Sequence, residues 1–227
     1  MTFYNQKKQL SFLLLFTFFF IGSLNGLFAQ EGPERFKNEV DQIIATTPIP
    51  NGNATVYLFT GSSSIRLWKN IPEYFPNKTI VNTGFGGSQT HELMHFADEL
   101  IFRYKPNKIF IYEGDNDLAS GKKPSTILKT MKKLITKIQS KLPDAEIVLI
   151  SPKPSLSRWT LKEDYNTLNR LMEVYCEKTA NVSFANVWDI ALNESGEPIK
   201  EIFIEDGLHM NKKGYDLWAE VLENYFP

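Results

Sequence analysis

Five short runs of β-branched and aromatic residues, each followed by a longer stretch of helical spacing, constrain this 227-residue chain more than any other feature. The runs are 54–60 (ATVYLFT), 79–81, 108–112, 146–151 and 182–187. Before, between and after them, apolar residues recur at helical intervals over 34–46, 90–103, 125–141, 161–179 and 211–225. In the stretch 125–141, Ile127, Leu128, Met131, Leu134, Ile135 and Ile138 form one stripe among lysines, the mark of a helix covering a core. Strand runs that alternate with helices predict a parallel sheet covered on both faces. Right-handed crossovers then restrict the fold to α/β: a three-layer α/β/α sandwich around a doubly wound parallel sheet of about five strands.

The N-terminal residues follow a different pattern. Lys7 and Lys8 precede an almost wholly apolar run over 10–24 (LSFLLLFTFFFIGSL), after which the chain turns polar. A positive end, an apolar stretch of about 7–15 residues and a small residue at the cut describe a secretory signal. The expected organisation is a signal peptide over 1–29, cut after Ala29, and one domain over 30–227, with a secreted or periplasmic destination. The apolar run is shorter than the roughly 20 residues of a membrane helix, so no stable span is expected after processing. The formal charge of −1 becomes more acidic when Lys7 and Lys8 leave, and no nucleic-acid partner is expected from such a balance. A single cysteine, Cys176, rules out an intramolecular disulfide and a cysteine-clustered zinc site.

Ligands meet doubly wound sheets at the carboxyl ends of the strands, so the residues after each apolar run carry the functional signal. The first run ends in Gly61-Ser62-Ser63-Ser64, the second in Asn82-Thr83-Gly84-Phe85-Gly86-Gly87-Ser88 and the third in Glu113-Gly114-Asp115-Asn116-Asp117. Before the last helical stretch stands Glu205-Asp206-Gly207-Leu208-His209. Ester hydrolysis needs parts of these types. A serine hydroxyl becomes a nucleophile when a base accepts its proton, and imidazole is the base suited to neutral pH. Of His91, His95 and His209, only His209 has an acid three residues earlier in a Gly-containing loop, where Asp206 can orient the ring. The glycine-loop N–H groups and the Asn116 amide are the available donors for an oxyanion.

Together the four segments resemble the four blocks of the SGNH (GDSL-type) hydrolase family, in the right order and across nearly the whole domain. The stretches KPSLSRW at 153–159 and GLHMNKKGYDLWAEVL at 207–222 are similar to an exported bacterial branch of it. The resemblance implies a serine esterase or acylhydrolase with Ser63 as nucleophile, His209 as base and Asp206 as its acid. It further implies Gly87 N–H and the Asn116 side chain as the oxyanion hole. Ser62 stands where the family has Asp and Ser64 where it has Leu, which leaves Ser62 and Ser64 as alternatives in register. Such chemistry requires no metal and no organic cofactor. The expected substrate is a small-molecule or carbohydrate acyl ester, acetyl above all. Trp159, after the fourth run, is the aromatic candidate for stacking on a sugar.

Three rival readings are compatible with the same residues. His91-Glu92-Leu93-Met94-His95 reads HExxH, the zinc metallopeptidase motif, with Glu113 or Asp115 as a third ligand. The flavodoxin-like order of such a sheet can wrap the 59–64 loop around a flavin phosphate. A non-catalytic carbohydrate-binding protein is compatible with the same fold. For the export reading, the N-terminus of protein recovered outside the cytoplasm of an expressing bacterium is expected to be Gln30. Edman sequencing checks it, and an intact Met1 would remove that reading.

Overall fold

The computed structural model describes residues 32–52 and 54–227; the segment read as an export signal, 1–29, lies outside them. Phe36–Pro227 forms one compact unit. In chain order its elements are α1 (Lys37–Thr46), β1 (Val56–Gly61), α2 (Ser63–Leu67), α3 (Ile71–Tyr74), β2 (Thr79–Asn82), α4 (Thr90–His95) and α5 (Ala97–Leu100). They continue with β3 (Lys108–Tyr112), α6 (Asp115–Ala119), α7 (Pro124–Lys141), β4 (Glu146–Ile150), α8 (Lys162–Cys176), β5 (Val182–Ala185) and α9 (Lys212–Glu223). The sheet runs β2-β1-β3-β4-β5 with every neighbouring pair parallel, the doubly wound order expected from the alternating pattern.

Side chains alternate across the pleat and divide the core in two. Leu58, Ile109, Ile111, Ile147 and Leu149 point to one face, where α4, α5, α7 and α8 supply Leu93, Leu100, Met131, Ile135, Leu168 and Met172. Tyr57, Phe59, Phe110, Tyr112, Val148 and Ile150 point to the other, against Ile65, Ile71, Trp218 and Leu222 from α2, α3 and α9 and Trp68 just after α2. This second layer is aromatic. Phe59 stacks on Phe110 with ring centres 4.4 Å apart, and Trp68 stacks on Tyr215 at 5.1 Å. β1 is buried along its whole length because it has a neighbour on each side and helices on each face.

The stretch 90–103, expected as one helix, is instead α4, α5 and a 3₁₀ turn at Phe102–Tyr104. Phe96 and Ile101 leave helical geometry, yet the hydrogen bonds Phe96 N–H to Glu92 O (3.1 Å) and Leu100 N–H to Phe96 O (2.9 Å) run through the first break. The bends let Leu93, Phe96, Ala97, Leu100, Ile101 and Tyr104 all enter the core. Among the described residues no helix is long and apolar enough to cross a membrane.

The strand order sets the position of the site. From β1 the chain leaves toward β2 at one edge, while β3 leads to β4 and β5 at the other, so the β1 and β3 ends form the switch point of the sheet. There Gly61 pairs with Tyr112 at φ +113°, and a Cβ at Gly61 would lie 2.1 Å from Tyr112 O. Only glycine permits both that dihedral and that approach. Gly61→Ala is therefore expected to destabilise the protein by more than about 1 kcal/mol, read as a lower urea midpoint; an unchanged midpoint would show that the two strand ends can move apart.

Candidate active site

Backbone hydrogen bonds tie the loop after β2 to the end of β1, and the serine turn to the end of β3. Ser62 N–H donates to Tyr112 O (3.0 Å), Thr83 N–H to Phe59 O (2.9 Å) and Phe85 N–H to Gly61 O (2.8 Å). Ser62 is extended and caps α2, its carbonyl accepting from Ile65 N–H and Arg66 N–H. That turn separates the three consecutive serines. Ser62 and Ser64 are buried, whereas Ser63 is half-buried with its Oγ 2.9 Å from His209 Nε2. Ser62 Oγ instead accepts from Asn116 Nδ2 at 2.7 Å.

The histidine belongs to a turn that organises itself. Ile204 N–H donates to His209 O (2.9 Å) and Gly207 N–H to Ile204 O (3.0 Å). Asp206 Oδ1 accepts from the N–H groups of Leu208 (2.8 Å) and His209 (2.9 Å), which leaves Oδ2 to meet His209 Nδ1 at 2.6 Å. Partial burial raises the Asp206 pKa, but the His209 contact and the two N–H bonds outweigh it and hold the carboxyl at about 2. Ser63, His209 and Asp206 thus form one unbroken hydrogen-bonded series, the geometry through which an imidazole withdraws a serine proton.

Asn116 lies in the first turn of α6, where its side chain is held from both ends. Nδ2 donates to Ser88 O (2.9 Å) as well as to Ser62 Oγ, and Oδ1 accepts from Arg158 Nη2 (2.9 Å). Gly87 precedes Ser88, is exposed and sits at φ +68°, a conformation that favours glycine. Its loop is braced by Gly86 N–H donating to Glu39 Oε1 (2.9 Å) from α1. Trp159 does not join this cluster: its ring stacks on Trp188 at 5.9 Å, with Lys162 Nζ 5.4 Å from its centre. The neighbouring residue, Arg158, is the one that reaches Asn116. A hollow of about 480 Å³ beside α1, lined by Glu39, Arg66, Lys69 and Asn82 among others, includes no member of the Ser63–His209–Asp206 series.

The segment 113–117 holds more than its polar sequence suggests, because Glu113, Asp115 and Asp117 are all buried. Glu113 lies deep enough for burial, reinforced by Asp117, to push its carboxyl well above the usual range, and its Oε1 accepts from Ser88 Oγ at 2.7 Å. Asp117 accepts from Thr90 N–H, Thr90 Oγ1 and Lys122 Nζ. Asp115 meets Tyr112, Tyr165 and Arg158. The zinc-motif residues are otherwise employed: Glu92 completes a capping box with Gln89, and His91 Nδ1 lies 3.3 Å from Lys122 Nζ. Among the described residues no group of three or more His, Cys, Asp or Glu is placed to hold a metal ion.

The sequence profile of the GDSL-like lipase/acylhydrolase family matches residues 58–217, which spans every loop described above. The chain belongs to that family. As a GDSL-type protein it is a carboxylic ester hydrolase. No curated protein sequence matches it significantly, but solved structures share its fold. A proposed platelet activating factor from Streptococcus pneumonia superimposes with a TM-score of 0.73 at 23% identity, covering 96% of this chain and 98% of that one. A GDSL-like lipase from Bacteroides thetaiotaomicron gives 0.69 at 16% identity over 86% and 96%. A catalytic mutant of an acetylxylan esterase from Geobacillus stearothermophilus gives 0.63 at 15% identity over 77% and 94%.

In this GDSL-type site the Asp206 carboxyl is held at about 2, so its own protonation is expected to put no bend in the acid limb of log kcat/KM above about pH 3. A bend above that pH which disappears in Asp206→Asn would show that the carboxyl is not held down by its contacts.

Proposed function

We propose that this esterase removes short acyl groups, acetyl above all, from carbohydrate-linked esters outside the cytoplasm, through an acyl-enzyme on Ser63. The observation that carries the mechanism is the contact of Ser63 Oγ with His209 Nε2 at 2.9 Å, continued to Asp206 at 2.6 Å. Of the three adjacent serines, Ser63 alone has its Oγ against the imidazole, which favours it over Ser62 and Ser64 as the nucleophile. His209 takes the hydroxyl proton as Oγ attacks the ester carbonyl, and Asp206 stabilises the imidazolium. The oxyanion is met by Gly87 N–H, Ser63 N–H and Asn116 Nδ2, whose bond to Ser62 Oγ is the one that yields. His209 then protonates the leaving alcohol, and a water activated by the same ring releases the carboxylic acid.

Acetyl and carbohydrate specificity is supported by the fold shared with an acetylxylan esterase and by the export-like N-terminal pattern. Trp159 is the residue proposed to face the sugar, half-buried with its indole plane already set by Trp188. The flavin reading gives His209 and Asp206 no task, although the fold joins both to Ser63.

Ser63→Ala and His209→Ala are expected to abolish turnover of p-nitrophenyl acetate and labelling by a fluorophosphonate. Asn116→Ala is expected to lower kcat by about 10²–10³-fold, the effect of one oxyanion donor. Near-normal turnover in Ser63→Ala, or loss of activity to o-phenanthroline, would overturn the serine mechanism. A panel of acyl lengths followed by acetylated polysaccharides tests the substrate, and Trp159→Ala should slow only the sugar esters.

A further inference from the structure

The four loops contribute the proposed nucleophile, base and oxyanion donors, but one buried group that takes no part in acyl transfer touches the supports of two of them. Asp115 lies beneath the site with its side chain almost wholly buried. Oδ1 meets Arg158 Nη1 at 2.5 Å and the Tyr165 hydroxyl; Oδ2 accepts from the Tyr112 hydroxyl at 2.8 Å and faces Lys153 Nζ at 3.9 Å. The two cations do not stop at Asp115. Arg158 turns its other terminal nitrogen to Asn116 Oδ1 at 2.9 Å, and Lys153, with no side-chain exposure, donates to Leu208 O at 2.6 Å. Leu208 lies between Asp206 and His209 in the chain. Each cation therefore spans from one shared carboxylate to a different part of the machinery.

We propose that Asp115 is a positioning residue for both halves of the site, fixing the Asn116 amide through Arg158 and the His209 turn through Lys153. This rests on the roles proposed above for Asn116 and His209. Three arguments support it. First, an amide has two ends of similar shape, and a guanidinium on Oδ1 forces Nδ2 toward Ser62 and Ser88, the side on which the proposed oxyanion forms. Second, an isolated ammonium in an apolar interior is strongly disfavoured, so a lysine buried to this depth needs both its carboxylate and its carbonyl. Burial lowers the Lys153 pKa while Asp115 acts to restore it, and the carboxyl of Asp115, raised by burial, is brought below its ordinary value by Lys153 and Arg158. Third, two phenols, Tyr112 from the end of β3 and Tyr165 from α8, complete the carboxylate's partners, so it cannot turn away from either cation. The hub is thus fixed to the sheet and to a helix before it orients anything else.

Two double-mutant cycles test the assignment, with rates normalised to sites titrated by a fluorophosphonate. Arg158→Lys keeps a charge for Asp115 but loses the planar fork that also reaches Asn116. It is expected to lower kcat on p-nitrophenyl acetate about 10-fold with KM little changed, and to cost under about 2-fold in an Asn116→Ala background. Lys153→Met is expected to lower kcat about 10-fold alone and under about 2-fold when Asp206→Asn has already loosened the histidine. Asp115→Asn should combine both losses; if it fails to fold, the two cycles stand without it. Costs that multiply independently in both cycles, or wild-type kcat in either single variant, would overturn the proposal by leaving these residues only a structural task. A wild-type protein with neither turnover nor labelling would sink the esterase mechanism itself, and this inference with it, and so is told apart from additive cycles.

Discussion

The contact between the ends of β1 and β3 is the constraint from which the rest of the site follows. Gly61 approaches Tyr112 so closely that no side chain fits between them, and Ser62 N–H closes onto the Tyr112 carbonyl. The approach places the serine turn and the 113–117 segment side by side, one leaving each strand. It also turns Ser62 inward and Ser63 outward, so backbone geometry separates three chemically identical hydroxyls into different environments. The glycine loop after β2 joins the same edge through Phe85 and Gly61. Only the histidine turn arrives from elsewhere in the sequence, and α9 secures it: the Tyr215 hydroxyl donates to Ser64 O at 3.0 Å, and Tyr215 and Trp218 pack on Trp68.

Three acids buried within five residues would be untenable if they shared one solution. Each is accommodated differently. Burial favours the neutral form of Glu113, Asp115 is matched by Lys153 and Arg158, and Asp117 by Lys122 and two donors of Thr90. These pairs, with Tyr165 on Asp115, join α6 to α4, to α8 and to the loop after β4, so the floor of the site is held by directional side-chain bonds where the helices elsewhere pack on the sheet faces through apolar contact. Directional bonds hold an amide such as Asn116 in one of its two orientations; apolar packing cannot distinguish them.

Much of this was legible in the sequence. The run 108–112 coincides with β3, and the other strands differ from their apolar runs by one or two residues at one end or, for β1, at both, because buried parallel strands leave a continuous apolar trace. The short helices α2, α3 and α6 left none: α2 and α6 are set by how the chain exits a strand, and none of the three is long enough to show a period. His209 and Asp206 could be read from their spacing because their contact is local. Lys153 and Arg158 could not, since a charged residue in a polar-looking loop gives no sign of burial, and its partner Asp115 lies about forty positions away. In Ser157-Arg158-Trp159 the tryptophan ring packs on Trp188, while the arginine beside it reaches Asn116, a contact that nothing in the sequence announces.

The hydrogen bond between Ser63 and His209 joins residues 146 positions apart, whereas the bond between His209 and Asp206 spans three. Ribosomal synthesis proceeds in one direction, so the serine, its strand and the glycine loop exist long before the imidazole has been made. Throughout that interval the serine hydroxyl has no base to accept its proton. On the proposed mechanism the order of residues along the chain thus works as a timing device: the base arrives only after the last strand, β5, has been made, and a chain interrupted before His209 lacks it.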